Sequence, residues 1–157
     1  MMGETANGRD QKLLIVAGII GAAVGIAALF FTWLRVYSFS GIEEFNAIGL
    51  AIDFDGNLGN VIGKYIPLII GVLSLVTVPF HWFAYRGGKA TPILILGIVI
   101  WILAFYYQTM VFGIHGTITS DPDYLYYGVG SMSPVVCFGG FIHILVWIQW
   151  VKSRKTT

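Results

Sequence analysis

The sequence predicts an all-α membrane protein, a four-helix transmembrane bundle with a short extracellular β-hairpin between helices 1 and 2. Three observations predict it. Of the 157 residues, 57% are apolar and 11% charged, with a mean hydropathy of +0.79, an apolar excess outside the balance of a soluble domain. The apolar residues gather into four stretches, each near the roughly 20 residues that a helix rising 1.5 Å per residue needs to cross about 30 Å of hydrocarbon. The basic residues gather at alternate ends of those stretches. The whole chain, 1–157, reads as one integral membrane domain.

The first span is expected at 13–34, reading LLIVAGIIGAAVGIAALFFTWL without a charge. It is too long for a secretory h-region, and Phe30, Phe31 and Trp33 stand where a cleavage site needs small residues, so it is expected to be retained. The second span is expected at 65–85, between Lys64 and Arg86, the third at 91–115 and the fourth at 132–151. Pro67, Pro92 and Pro134 fall in first helical turns, where a missing N–H costs nothing. Pro79 lies inside the second span and is expected to bend it.

Arg9, Lys12, Arg86, Lys89, Lys152, Arg154 and Lys155 fall on one side, and only Arg35 and Lys64 on the other. By the positive-inside rule this places both termini in the cytoplasm of a plasma-membrane, multi-pass protein. Loops 35–64 and 116–131 are then outside, with Trp33, Tyr37 and Tyr65 marking the outer interface and Trp82, Tyr85, Trp147 and Trp150 the inner one.

Within the first outer loop, Leu34–Ser40 and Asn46–Asp55 alternate in polarity and suit a β-hairpin turning through Gly41, Glu43 and Glu44, with an interfacial helix as the alternative. Asp53, Asp55 and Asn57 imitate the opening of a calcium loop. Leu58 occupies the place of its glycine, however, and an Asp-Gly turn is the plainer reading, so no metal site is expected. Tyr37, Phe39, Phe54, Tyr124, Tyr126 and Tyr127 form the candidate outer recognition surface, aromatic side chains being favoured at interfaces.

Gly18, Gly21 and Gly25, with Gly139 and Gly140, are the expected helix-packing positions, since small residues let membrane helices approach closely. His81, Gln108, His143 and Gln149 read either as helix contacts or as the lining of a polar path. Counted from their cytoplasmic boundary charges, His81 lies about 7 Å and His143 about 13 Å deep, so the two are not expected to share one level. Cys137 is the only cysteine, which excludes an intrachain disulfide. No H-E-x-x-H, G-x-S-x-G or P-loop occurs, and no span carries two carboxylates, so neither an enzyme nor a cofactor is expected.

The tract Trp33, Leu34, Arg35, Val36, Tyr37, Ser38, Phe39, Ser40, Gly41, with Tyr127, Gly128, Val129, Gly130 before the last span, resembles that of small four-span prokaryotic membrane proteins without assigned function. More distantly the chain is similar to claudin-type tetraspans, which also set a tryptophan and a β-rich segment after helix 1. The paired loop cysteines of that family are absent here, the loop is shorter, and no site residue is carried over. The expected function is a non-catalytic tetraspan accessory, scaffold or interaction subunit. The rival is a small oligomeric channel or transporter. Expected partners are the lipid bilayer and a further membrane protein or copy of the chain, not nucleic acid.

Overall fold

The computed structural model describes residues 6–54, 62–86, 89–115 and 124–155, with side chains for 15–54, 62–86, 89–113 and 128–152. In chain order the elements are α1 (Ala6–Ala27), β1 (Thr32–Ser38), β2 (Gly41–Asn46), α2 (Ala47–Ile52), a 3₁₀ turn (Gly63–Tyr65), α3 (Ile66–Tyr85), α4 (Thr91–His115), β3 (Tyr124–Val129) and α5 (Met132–Lys155). The four long helices form a ring in which α1 packs on α3 and α5, and α4 packs on the same two. Three described segments, Gly63–Tyr85, Thr91–Gly113 and Met132–Lys152, are long and apolar enough to cross a membrane. The described apolar part of α1, Ile15–Ala27, is shorter.

The inward faces are built at helical spacing. On α3 they are Ile66, Ile70, Ser74, Thr77, His81 and Ala84, and on α4 Ile93, Ile100, Ala104, Tyr107 and Val111. Steps of three and four residues keep one stripe toward the neighbours while Leu75, Phe83, Ile102 and Phe105 point outward. An apolar exterior is what lipid requires of a helix surface. α3 runs on as one helix through Pro79, and Pro67 opens it.

The first expected span is shorter than predicted. α1 ends at Ala27, and the chain tightens through three-residue turns, Leu29 N–H donating to Ile26 O and Phe30 N–H to Ala27 O, both at 3.0 Å. Trp33, expected at the interface, is fully buried. Its indole N–H donates to Ala28 O at 2.6 Å, satisfying a carbonyl that the helix end leaves without an intrahelical donor. Thr32, Trp33 and Leu34, predicted to finish a span, begin a strand instead, since aromatic and β-branched residues suit a pleated surface.

The sheet has the order β2-β1-β3 and is antiparallel throughout. It therefore holds a hairpin in the first outer loop, with a second strand other than the one expected, and a further strand from the second loop, which makes the protein a helical bundle with a small sheet rather than all-α. The register between β1 and β2 slips between Thr32 and Leu34. The bulge lets Trp33 and Leu34, adjacent in sequence, both turn inward; beyond it ordinary alternation returns, with Val36 inside.

The hairpin turns earlier than expected. Ser38 pairs with Gly41 across Phe39 and Ser40, and Gly41 has φ +144°, a backbone conformation in which side chains are strained. Glu43 and Glu44 consequently lie in β2, not in the turn, and Glu44 faces Arg35, its register partner. The expected second strand, Asn46–Asp55, is for the most part α2. Asn46 Oδ1 accepts from Gly49 N–H at 2.8 Å, an N-cap that starts a helix. Ala47, Leu50 and Phe54 are then buried at helical spacing, while Ile48 and Ile52 are exposed. The calcium-like stretch after Phe54 lies outside the described residues.

Candidate functional site

Two places gather chemistry: a polar layer inside the bundle and the sheet at its end. The inner layer starts with the glycines of α1. A Cβ on Gly18 would collide with the ring of His81, and one on Gly25 with the side chain of Ser74; on Gly21 it would stand 3.0 Å from His143 Cε1. Each glycine thus leaves room for a polar side chain of the same chain, from α3 or α5. At these glycines α1 lies close against side chains of α3 and α5. Gly21 and Gly25 are consumed by intrachain packing and are not on offer to a second copy through that face.

Gly140 sits against the backbone of Trp101, where a Cβ would lie 2.9 Å from the Trp101 nitrogen. Gly139 makes ordinary contact at 3.7 Å with Gly21 O and Val24. Gly97, which sequence reading passed over, completes the seat of His143: a Cβ there would be 2.8 Å from His143 Cβ and 3.2 Å from Gly140 O. Its signal in the sequence was a glycine set among bulky neighbours in mid-helix, the mark of a close crossing.

Against expectation, His81 and His143 share one level, their ring centroids 5.0 Å apart with planes inclined by 48°. Boundary charges misled the depth count because α5 runs as helix to Lys155 whereas α3 stops at Tyr85, so those charges do not mark one plane. His81 Nδ1 donates to Thr77 O at 2.8 Å, Thr77 Oγ1 donates to Ser74 O at 2.7 Å and Ser74 Oγ to Ile70 O at 2.9 Å. These local bonds satisfy hydroxyls without drawing on other helices. His81 Nε2 and His143 Nδ1 are buried without a hydrogen-bond partner among the described residues.

The other candidates lie elsewhere. Gln108 is half-buried and accepts from the Cys137 thiol at 3.7 Å, a link between α4 and α5. Gln149 is exposed. The structure therefore brings together two of the four polar-path residues and leaves two apart. Tyr107 Oη and Ser133 Oγ are also buried without a partner among the described residues, at the sheet end. Ten residues of helix, about 15 Å, separate Tyr107 from the level of Gly97.

At the sheet, Trp33 is the joint between the two layers. Its ring meets Tyr107 edge-on, centroids 5.4 Å apart at 88°, and its carbonyl accepts from Gly130 N–H at 2.7 Å. Gly130 lies so close to the Thr32 carbonyl that no side chain fits. Phe54, proposed for the recognition surface, is buried and stacks edge-on with Phe45 at 5.3 Å. It is a core residue because the turn of α2 carries it inward. Tyr37 is half-buried and lies beside Gly128, and Phe39 is 80% exposed at the hairpin turn. Tyr124, Tyr126 and Tyr127 belong to β3 and pair in register with Ser38, Tyr37 and Val36; their side chains lie outside those described.

The chain was compared with protein-family models, with curated proteins and with solved structures. None matches. On β2, Glu44 is held by Thr32 Oγ1 at 2.9 Å and by Arg35 Nε at 2.8 Å. The Thr32 hydrogen bond, then Arg35, holds its carboxyl below the usual carboxylate range. The bonds fasten β2 to β1 along one side. The other side of β2 is a free sheet edge among the described residues, flanked by Phe39 and by Ile42, 61% exposed.

Proposed function

We propose that this chain is a non-catalytic tetraspan membrane protein, an interaction or scaffold subunit whose sheet stands outside the cytoplasmic membrane and receives a partner. α1 serves as the fourth span, and both termini are cytoplasmic, following the basic residues. The observation that carries the reading is the edge of β2. An unpaired strand with apolar side chains at its turn is a place for a strand or loop of another protein to add. Glu43, also on this strand, disfavours pairing with an identical edge and favours a neutral or basic one. The likeness to claudin-type tetraspans is kept at the level of architecture, a sheet set on a bundle after the first helix.

The test has two parts, both in a Cys137→Ser background. Cysteines at Ser40 and Lys89 are expected to label from opposite sides of sealed cells, Ser40 from outside. A photo-crosslinker at Ile42 is expected to capture a defined membrane partner in native membranes, and vesicles holding only this chain to show no flux above protein-free controls. Labelling of both cysteines from one side would overturn the topology. Saturable, ion-selective flux with no captured partner would replace the accessory reading by the channel.

A further inference from the structure

The two unpartnered imidazole nitrogens point to a ligand. A carbonyl only accepts, so the bond from His81 Nδ1 to Thr77 O fixes the proton on Nδ1 and leaves Nε2 with a free lone pair. A histidine that binds a metal commonly donates its other N–H to a backbone carbonyl in this way. His143 Nδ1 is likewise buried without a hydrogen-bond partner among the described residues, on a ring whose centre is 5.0 Å from that of His81. Leaving two such atoms unsatisfied is costly, and a bound ion is one of the few things that explains both.

We propose that His81 and His143 form an intramembrane site for a single monovalent metal ion of the copper(I) class. Imidazole suits copper. Both donors are neutral, and the described residues hold no group of three His, Cys, Asp or Glu side chains. Zinc asks for four ligands, and a divalent ion here would bury two charges with no carboxylate to balance them. A large planar cofactor is excluded by space, since the His81 ring lies directly against α1 at Gly18 and the His143 ring close to it at Gly21. With metal–nitrogen bonds of about 2 Å, an ion held by both nitrogens would lie between two rings whose centres stand 5.0 Å apart, and the rings would have to adjust to receive it. Room for that adjoins the site, a cavity of about 20 Å³ lined by His81, Ile15, Ala84, Ile93 and Val146 among others. The site stands independently of the recognition role proposed above.

The experiment uses the full chain in detergent, titrated with silver(I) and with copper(I) against a chromophoric chelator, and X-ray absorption of the copper-loaded protein. One ion per chain and a first shell of two nitrogen neighbours are expected. His81→Ala and His143→Ala should each weaken binding roughly tenfold or more, whereas Cys137→Ser, which removes the one competing thiol, should leave it unchanged. A sulfur neighbour, loss of binding in Cys137→Ser alone, or no stoichiometric binding would overturn the site. If the histidine variants do not yield folded protein, the absorption spectrum of the unsubstituted chain decides.

Discussion

Moving one methylene between helices tests the glycine seats directly. Gly25 on α1 faces Ser74 on α3, and an added Cβ would overlap the Ser74 side chain, with the Ser74 Cα at 3.7 Å behind it. Ser74 is 1% exposed and bonded to Ile70 O, so it has nowhere to turn. Overpacking of this kind costs about 1–3 kcal/mol, offset by the roughly 1 kcal/mol that alanine gains over glycine in a helix. Gly25→Ala alone should therefore destabilise by up to about 2 kcal/mol. Ser74→Gly alone leaves a small void and a flexible residue, for a loss of about 1–2 kcal/mol. Combined, the two place the same carbon on the opposite helix, and the double variant should return to within about 1 kcal/mol of the parent, a coupling of about 1–3 kcal/mol. Equilibrium unfolding in mixed detergent micelles, followed by tryptophan fluorescence, measures all four corners of the cycle. Strict additivity would refute the facing of Gly25 and Ser74, and with it the packing of α1 on α3.

Gly139→Ala meets only ordinary contacts at 3.7 Å and should be neutral or stabilising by up to about 1 kcal/mol, read in the same assay. Trp33→Phe removes the donor to Ala28 O and part of a fully buried ring, for an expected loss of about 2–4 kcal/mol. Phe54→Ala should cost about 3–5 kcal/mol whereas Phe39→Ala stays within about 0.5 kcal/mol, which separates core from surface; equal effects would contradict the placement of Phe54. Glu44 has a depressed folded-state pKa, so its stabilisation of the β1–β2 pair is fully present above the ordinary value of 4.5 and is lost as pH falls through the lower folded value. Hydrogen exchange of strand amides should quicken over that acid window in the parent and show no such step in Glu44→Gln.

The architecture was legible where hydrophobicity and length act alone. Three membrane-length helices lie close to the predicted spans, because backbone groups in lipid must bond within a helix and the required apolar run is long. The hairpin was legible as two β-prone tracts but its register was not: Asn46–Asp55 satisfies a strand alternation and a helical 47, 50, 54 spacing alike, and the Asn46 cap chose the helix. β3 was missed because Tyr124–Val129 has no partner nearby in sequence. Its partner is β1, more than 80 positions earlier.

For the site, the sequence by itself determined the residue types: small residues on α1, and histidines inside apolar segments without a carboxylate for company. Only the tertiary structure decided that Gly18 belongs to His81, Gly21 to His143 and Gly25 to Ser74, and that the two rings share a level. Periodicity tells which residues share a face of one helix. The axial offset between helices is set by where each one ends and by which side chains interlock, and those are properties of the assembled bundle, not of any segment read alone.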